Sequence, residues 1–109
     1  MTSKNIHQRN QQRFIINQEF LVKTASGNNH RVTIRNISLG GACLDWNEPC
    51  QPGDRLNICF STDLVLESEI RWFQKNNDCN EIGVHFFDVD EVASIYLGEY
   101  IQTLLKRVP

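Results

Sequence analysis

The chain has no C-x-x-C pair and no histidine at a finger-like spacing from a cysteine. Its four cysteines, Cys43, Cys50, Cys59 and Cys79, therefore read as free thiols rather than a zinc site or a disulfide framework. It also has no apolar run approaching the roughly eighteen residues that a membrane-spanning helix needs, which excludes membrane insertion through a helix. The start is polar, with Lys4, Asn5, His7, Gln8, Arg9 and Asn10 and no apolar stretch, so no signal peptide is expected and a cytoplasmic location is. Internal repeats and low-complexity segments are lacking. So are the motifs of catalysis and nucleotide hydrolysis: no G-x-S-x-G elbow, no H-E-x-x-H, no G-x-x-x-x-G-K and no G-x-G-x-x-G. Glu67 and Glu69 face the same way on a strand, where paired carboxylates read as a solvated face. An enzyme is not expected.

What is present fits one globular domain. The 109 residues are 40% hydrophobic and 22% charged, enough for a single core. The net charge of −2 is unevenly spread. Through Arg35 the chain carries Lys4, Arg9, Arg13, Lys23, Arg31 and Arg35 against Glu19 alone, whereas the remainder is acidic. An acidic body is a poor general binder of DNA or RNA, and no aromatic strip with interleaved basic residues marks an oligonucleotide-binding barrel. A basic first third points instead to a local site for a small anion.

Along the chain, residues 1–13 show no hydrophobic period and read as a flexible N-terminal arm. Phe20 and Val22 alternate in a strand over about residues 17–24, and Ser26-Gly27-Asn28-Asn29 is a hairpin signal. Val32 and Ile34 mark a second strand running to Ile37. Ala42, Leu44 and Trp46 mark a third, and Leu56, Ile58 and Phe60 a fourth. Leu64, Leu66, Ile70 and Trp72 share one phase of a long fifth, with Val65, Glu67, Glu69 and Arg71 opposite. Ile82, Val84 and Phe86 form the sixth. After Asp88 the period changes: Val92, Ile95, Tyr96, Tyr100, Leu104 and Leu105 recur at helical spacing, with Asp88 or Asp90 as the cap of a helix over about residues 90–107. The expectation is an all-β fold, a six-stranded antiparallel barrel spanning residues 14–109 together with its C-terminal helix, because closure removes exposed strand edges.

Two polar clusters stand outside the hydrophobic pattern. Arg9-Asn10-Gln11-Gln12-Arg13 places two guanidinium groups four residues apart at the end of the arm, just before Phe14-Ile15-Ile16. Asn36-Ile37-Ser38-Leu39-Gly40-Gly41 ends the second. In an extended chain Asn36 and Ser38 point to one face, and two glycines permit positive φ and a bare backbone. On their own these residues read first as a turn, and they also suit a small polar ligand.

Together the clusters resemble the signature of the PilZ domain, the bacterial receptor module for cyclic di-GMP: R-x-x-x-R followed some twenty-odd residues later by [D/N]-x-S-x-x-G. Phe14 after the second arginine, the strand Ile82-Gly83-Val84-His85-Phe86 and the closing helix add to the likeness, which runs from Arg9 onward. The resemblance implies a PilZ-like split barrel that binds cyclic di-GMP without catalysis or cofactor. Arg9 and Arg13 would meet ligand base and phosphate, and Asn36 and Ser38 a guanine. Gly40 and Gly41 would let the backbone approach. Gln8 stands where many members carry a further arginine, which leaves one or two ligand molecules per site open. Trp72 sits where some members have an aromatic near the ligand, although its phase with Leu66 and Ile70 points to core packing. The expected output is ordering of the arm and altered binding of an unidentified downstream protein. The alternative is a PilZ-like adaptor that binds protein only.

Overall fold

The computed structural model describes residues 12–76, 78–87 and 89–107. Six strands follow in order: β1 (Phe14–Thr24), β2 (Asn29–Ile37), β3 (Gly41–Asp45), β4 (Arg55–Ser61), β5 (Leu64–Lys75) and β6 (Asn80–Phe86). Among the described residues one helix, α1 (Glu91–Arg107), follows β6. Every pairing is antiparallel, and the spatial order β1-β2-β3-β6-β5-β4 closes when Leu21 to Thr24 of β1 pair with Cys59 to Leu56 of β4. The six-stranded barrel with a C-terminal helix is the architecture that the alternating pattern implies. β1 begins three residues earlier than its alternation suggests, because Phe14 and Ile15 pair with Ile37 and Asn36.

The inward residues are those of the period-two pattern. Val22, Ile34, Leu44, Ile58, Ile70 and Ile82 are fully buried and fill the barrel. At one end Phe60 meets Phe20, Phe86 and Tyr100 edge-on, with centroids 5.4, 6.1 and 5.8 Å away. Helix α1 lies over this ring cluster, and Tyr100 donates its hydroxyl proton to the carbonyl of Phe60 at 2.6 Å. Asp90 caps the helix: its Oδ1 accepts from the amide of Ala93 at 2.8 Å.

The helix buries only part of the expected stripe. Leu104 enters the core, joined by Leu97 and Ile101, and Tyr100 and Leu105 pack against it, while Val92, Ile95 and Tyr96 remain exposed. Both sets have helical spacing, so periodicity alone does not say which stripe faces inward. Each of the three buried side chains contributes roughly 1.5–3 kcal/mol by leaving water.

Bulges break the alternation where it matters most. A register shift between Ile34 and Asn36 in the β2–β3 ladder puts both Arg35 and Asn36 between the buried Ile34 and Ile37. Another, between Ile70 and Trp72 in the β5–β6 ladder, follows buried Ile70 with two exposed residues, Arg71 and Trp72. An extra residue on one strand turns the next side chain to the opposite face. Trp72 is accordingly not a core residue: it is 42% exposed and lies outside the barrel.

Candidate functional site

The site is built where the root of β1, the β2–β3 turn, β5 and β6 converge. Because Phe14 pairs with Ile37, Arg13 emerges beside the second polar cluster. Its Nη1 donates to Asn36 Oδ1 at 2.7 Å, a short charge-assisted bond between the two motifs. The bulge at Arg35 makes this possible by keeping Asn36 on the outer surface. Arg35 itself is engaged elsewhere: it forks onto Asp45 at 2.9 and 2.7 Å, and that bonding and charge raise its pKa. Among the described residues, Arg13 and Arg71 meet no carboxylate.

Ser38 does not share the outer face with Asn36. It is 1% exposed, and its hydroxyl is the inner hub of the turn. Oγ accepts from the amides of Gly40 and Gly41, both at 3.2 Å, and lies 3.4 Å from the Gly41 carbonyl, to which it can donate. The Ser38 amide donates to that same carbonyl at 2.8 Å. With those partners the hydroxyl is engaged within the turn and shapes its backbone. The Gly40 carbonyl accepts from the Phe86 amide at 2.9 Å, which ties the turn to β6.

The glycines act through proximity rather than through positive φ. Among the described residues, the glycines with positive φ are Gly27 and Gly53. At Gly41 a Cβ would stand 2.1 Å from the Val84 carbonyl oxygen, so only hydrogen fits between β3 and β6. At Gly83 a Cβ would stand 2.2 Å from the indole of Trp72. The ring therefore lies directly on the glycine backbone of β6.

These features enclose a groove of about 260 Å³. Arg13 and Arg71 line it with Trp72, and Gly40, Gly41, Gly83, Val84 and His85 complete it. Two arginines, one histidine, a half-exposed indole and a stretch of bare backbone share the groove with no acidic side chain. That combination suits a compact anion carrying a flat ring: guanidinium groups grip phosphate or a purine edge, and the indole offers a stacking face.

The residues expected from the sequence thus divide. Arg13, Gly40, Gly41 and Trp72 come together in the groove. Asn36 stands behind Arg13, and Ser38 lies inside the turn. Gln8 and Arg9, with most of the arm, lie outside the described residues. Arg71, Gly83 and His85 lie in the groove without standing among the residues that the sequence marks as the site. For Arg71 the missing signal is the bulge, and for Gly83 it is the indole on top of it. The cysteines are unpaired, and burial pushes the thiols of Cys43 and Cys50 up. Among the described residues no cluster of histidine, cysteine or carboxylate could hold a metal, and no helix is long and apolar enough to cross a membrane.

A family model described as the PilZ domain matches residues 7–103. A search of curated proteins returns no match. Among solved structures, the isolated PilZ domain of Escherichia coli YcgR with c-di-GMP is similar at a TM-score of 0.70 and 16% identity, covering 90% of this chain and 92% of that one. The longer YcgR complex with c-di-GMP scores 0.69 at 18% identity, over 90% of this chain and 46% of that one. Borreliella burgdorferi PlzA in complex with c-di-GMP scores 0.63 at 16% identity, over 90% and 44%. The chain therefore spans about half the length of the longer proteins it matches, and the likeness to them is one of fold.

Proposed function

Since the chain belongs to the PilZ domain family, a family of receptor and adaptor modules rather than enzymes, we propose that it is a receptor for cyclic di-GMP. The observation that carries the reading is the groove itself, with Arg13 and Arg71 flanking an indole seated on Gly83. Cyclic di-GMP is a dianion with two guanines. One guanine stacks on Trp72, and Arg13 takes a guanine edge or a phosphate. Asn36 holds Arg13 in place, Ser38 shapes the turn, and Gly40 and Gly41 let the backbone approach. Arg9, four residues before Arg13, joins from the arm. A calorimetric titration with cyclic di-GMP, with GMP as control, tests the reading: saturable heat with the dinucleotide and little with GMP supports it. An absence of heat favours the adaptor alternative.

The signalling step in this reading is ordering of the arm. Residues 1–12 contain only Met1 and Ile6 as apolar side chains, so burial offers them little, and a bound dianion offsets the repulsion between Arg9 and Arg13. The ordered arm with its ligand then forms the surface that a downstream protein meets. Amide exchange with and without cyclic di-GMP should show protection rising most over residues 6–14. Protection already complete without ligand would refute this step while leaving binding intact.

A further inference from the structure

We propose that the outer face of α1, with the start of β5, is a docking surface for a lysine- or arginine-rich amphipathic segment of another protein. The helix fills the core with Leu97, Ile101 and Leu104, and its opposite face is nonetheless apolar: Val92, Ile95 and Tyr96 are 60%, 57% and 61% exposed. Val65 on β5 extends the same surface at 50% exposure. Two hollows of about 460 and 450 Å³ share Asp63, Leu64 and Tyr96. From Val92 to Thr103 the helix runs roughly 17 Å, the length of about three helical turns of a partner.

Charge selects the occupant. The first hollow is lined by Asp63, Glu67 and Asp90, and the second by Asp63 and Glu99, with no lysine or arginine in either lining. Arg55, beside the first hollow, is paired to Glu67 at 3.1 Å and lies over the Phe87 ring at 4.5 Å. An apolar floor with a carboxylate rim favours a segment that alternates apolar and cationic side chains. It opposes anionic lipid, nucleic acid and a second copy of the same acidic face. The nucleotide groove carries the opposite sign and takes none of these residues, so the proposal does not depend on what that groove binds.

The test uses the whole chain, isotope-labelled, and a synthetic peptide of about eighteen leucines and lysines in helical amphipathic order. A scrambled peptide of the same composition is the control. The amphipathic peptide should saturably shift amide signals in residues 61–67 and 90–103. Affinity should fall at least ~10-fold in Val92→Ser with Tyr96→Ser, and comparably in Asp63→Lys with Glu99→Lys. Both variants should melt near the parent, since their side chains are exposed. Equal binding of the scrambled peptide, shifts centred elsewhere or no saturation would overturn the proposal. So would concentration-dependent dimers of the chain that vanish in Val92→Ser with Tyr96→Ser, or large unfolding of that variant.

Discussion

Replacing Gly83 by alanine changes one methyl group and no group proposed to bind, yet it should cost more ligand affinity than most surface substitutions. The new Cβ would lie 2.2 Å from the indole of Trp72, so the ring must leave the β6 backbone. Because Trp72 is 42% exposed, the ring has somewhere to go and the barrel need not open. A little over half of a tryptophan surface is about 90–145 Å², which at ~25 cal/mol per Å² limits the stability cost to about 2–4 kcal/mol. Partial reburial of the displaced ring keeps the real cost below that limit. The stacking platform is lost in either case, and base–aromatic stacking is worth ~1–3 kcal/mol, or about 5- to 150-fold in affinity. Calorimetry with cyclic di-GMP reads the affinity, and urea unfolding without ligand reads the stability. Tryptophan emission reports the ring, since Trp46 is buried and Trp72 is not. A Gly83→Ala protein with parental affinity and unchanged emission would refute the claim that the indole is held against glycine to receive a base.

Further outcomes follow from the other contacts. Arg13→Ala should lose about 2 kcal/mol or more of binding and little stability, and Asn36→Ala about 1 kcal/mol; in a double-mutant cycle the two should be strongly non-additive, because Asn36 acts through the 2.7 Å bond to Arg13. Additive losses would show two independent ligand contacts. Ser38→Ala should cost about 1–3 kcal/mol of unfolding free energy, since it strips the Gly40 and Gly41 amides of their buried partner; a variant of parental stability with weakened binding would return the hydroxyl to the ligand. Burial raises the Cys43 and Cys50 thiols, so in the folded protein both should alkylate more slowly at pH 8 than after denaturation, and equal rates would contradict the packing around them.

The barrel was legible because each strand keeps a period of two through its core positions, and Val22, Ile34, Leu44, Ile58, Ile70 and Ile82 all lie where that period puts them. The motif residues were legible because turn and charge chemistry stand out from such a pattern. What alternation cannot carry is an interruption of its own phase. Trp72 reads as core from Leu66 and Ile70, and one extra residue at Arg71 turns it outward into the groove. Ser38 reads as the neighbour of Asn36, yet the strand ends at Ile37 and the hydroxyl closes the turn. The reason for Gly41 lies on another strand, at the Val84 carbonyl, and no local pattern contains it. The helix shows two apolar stripes, and the barrel, not the helix, decides which is covered.

The most direct test of the central claim is a map of amide and indole signals during titration with cyclic di-GMP. Saturable shifts should gather at Arg13, Gly40, Gly41, Gly83 and His85, with the indole N–H of Trp72 moving and that of Trp46 still. Shifts gathered around Trp46, or none at saturating dinucleotide, would contradict it.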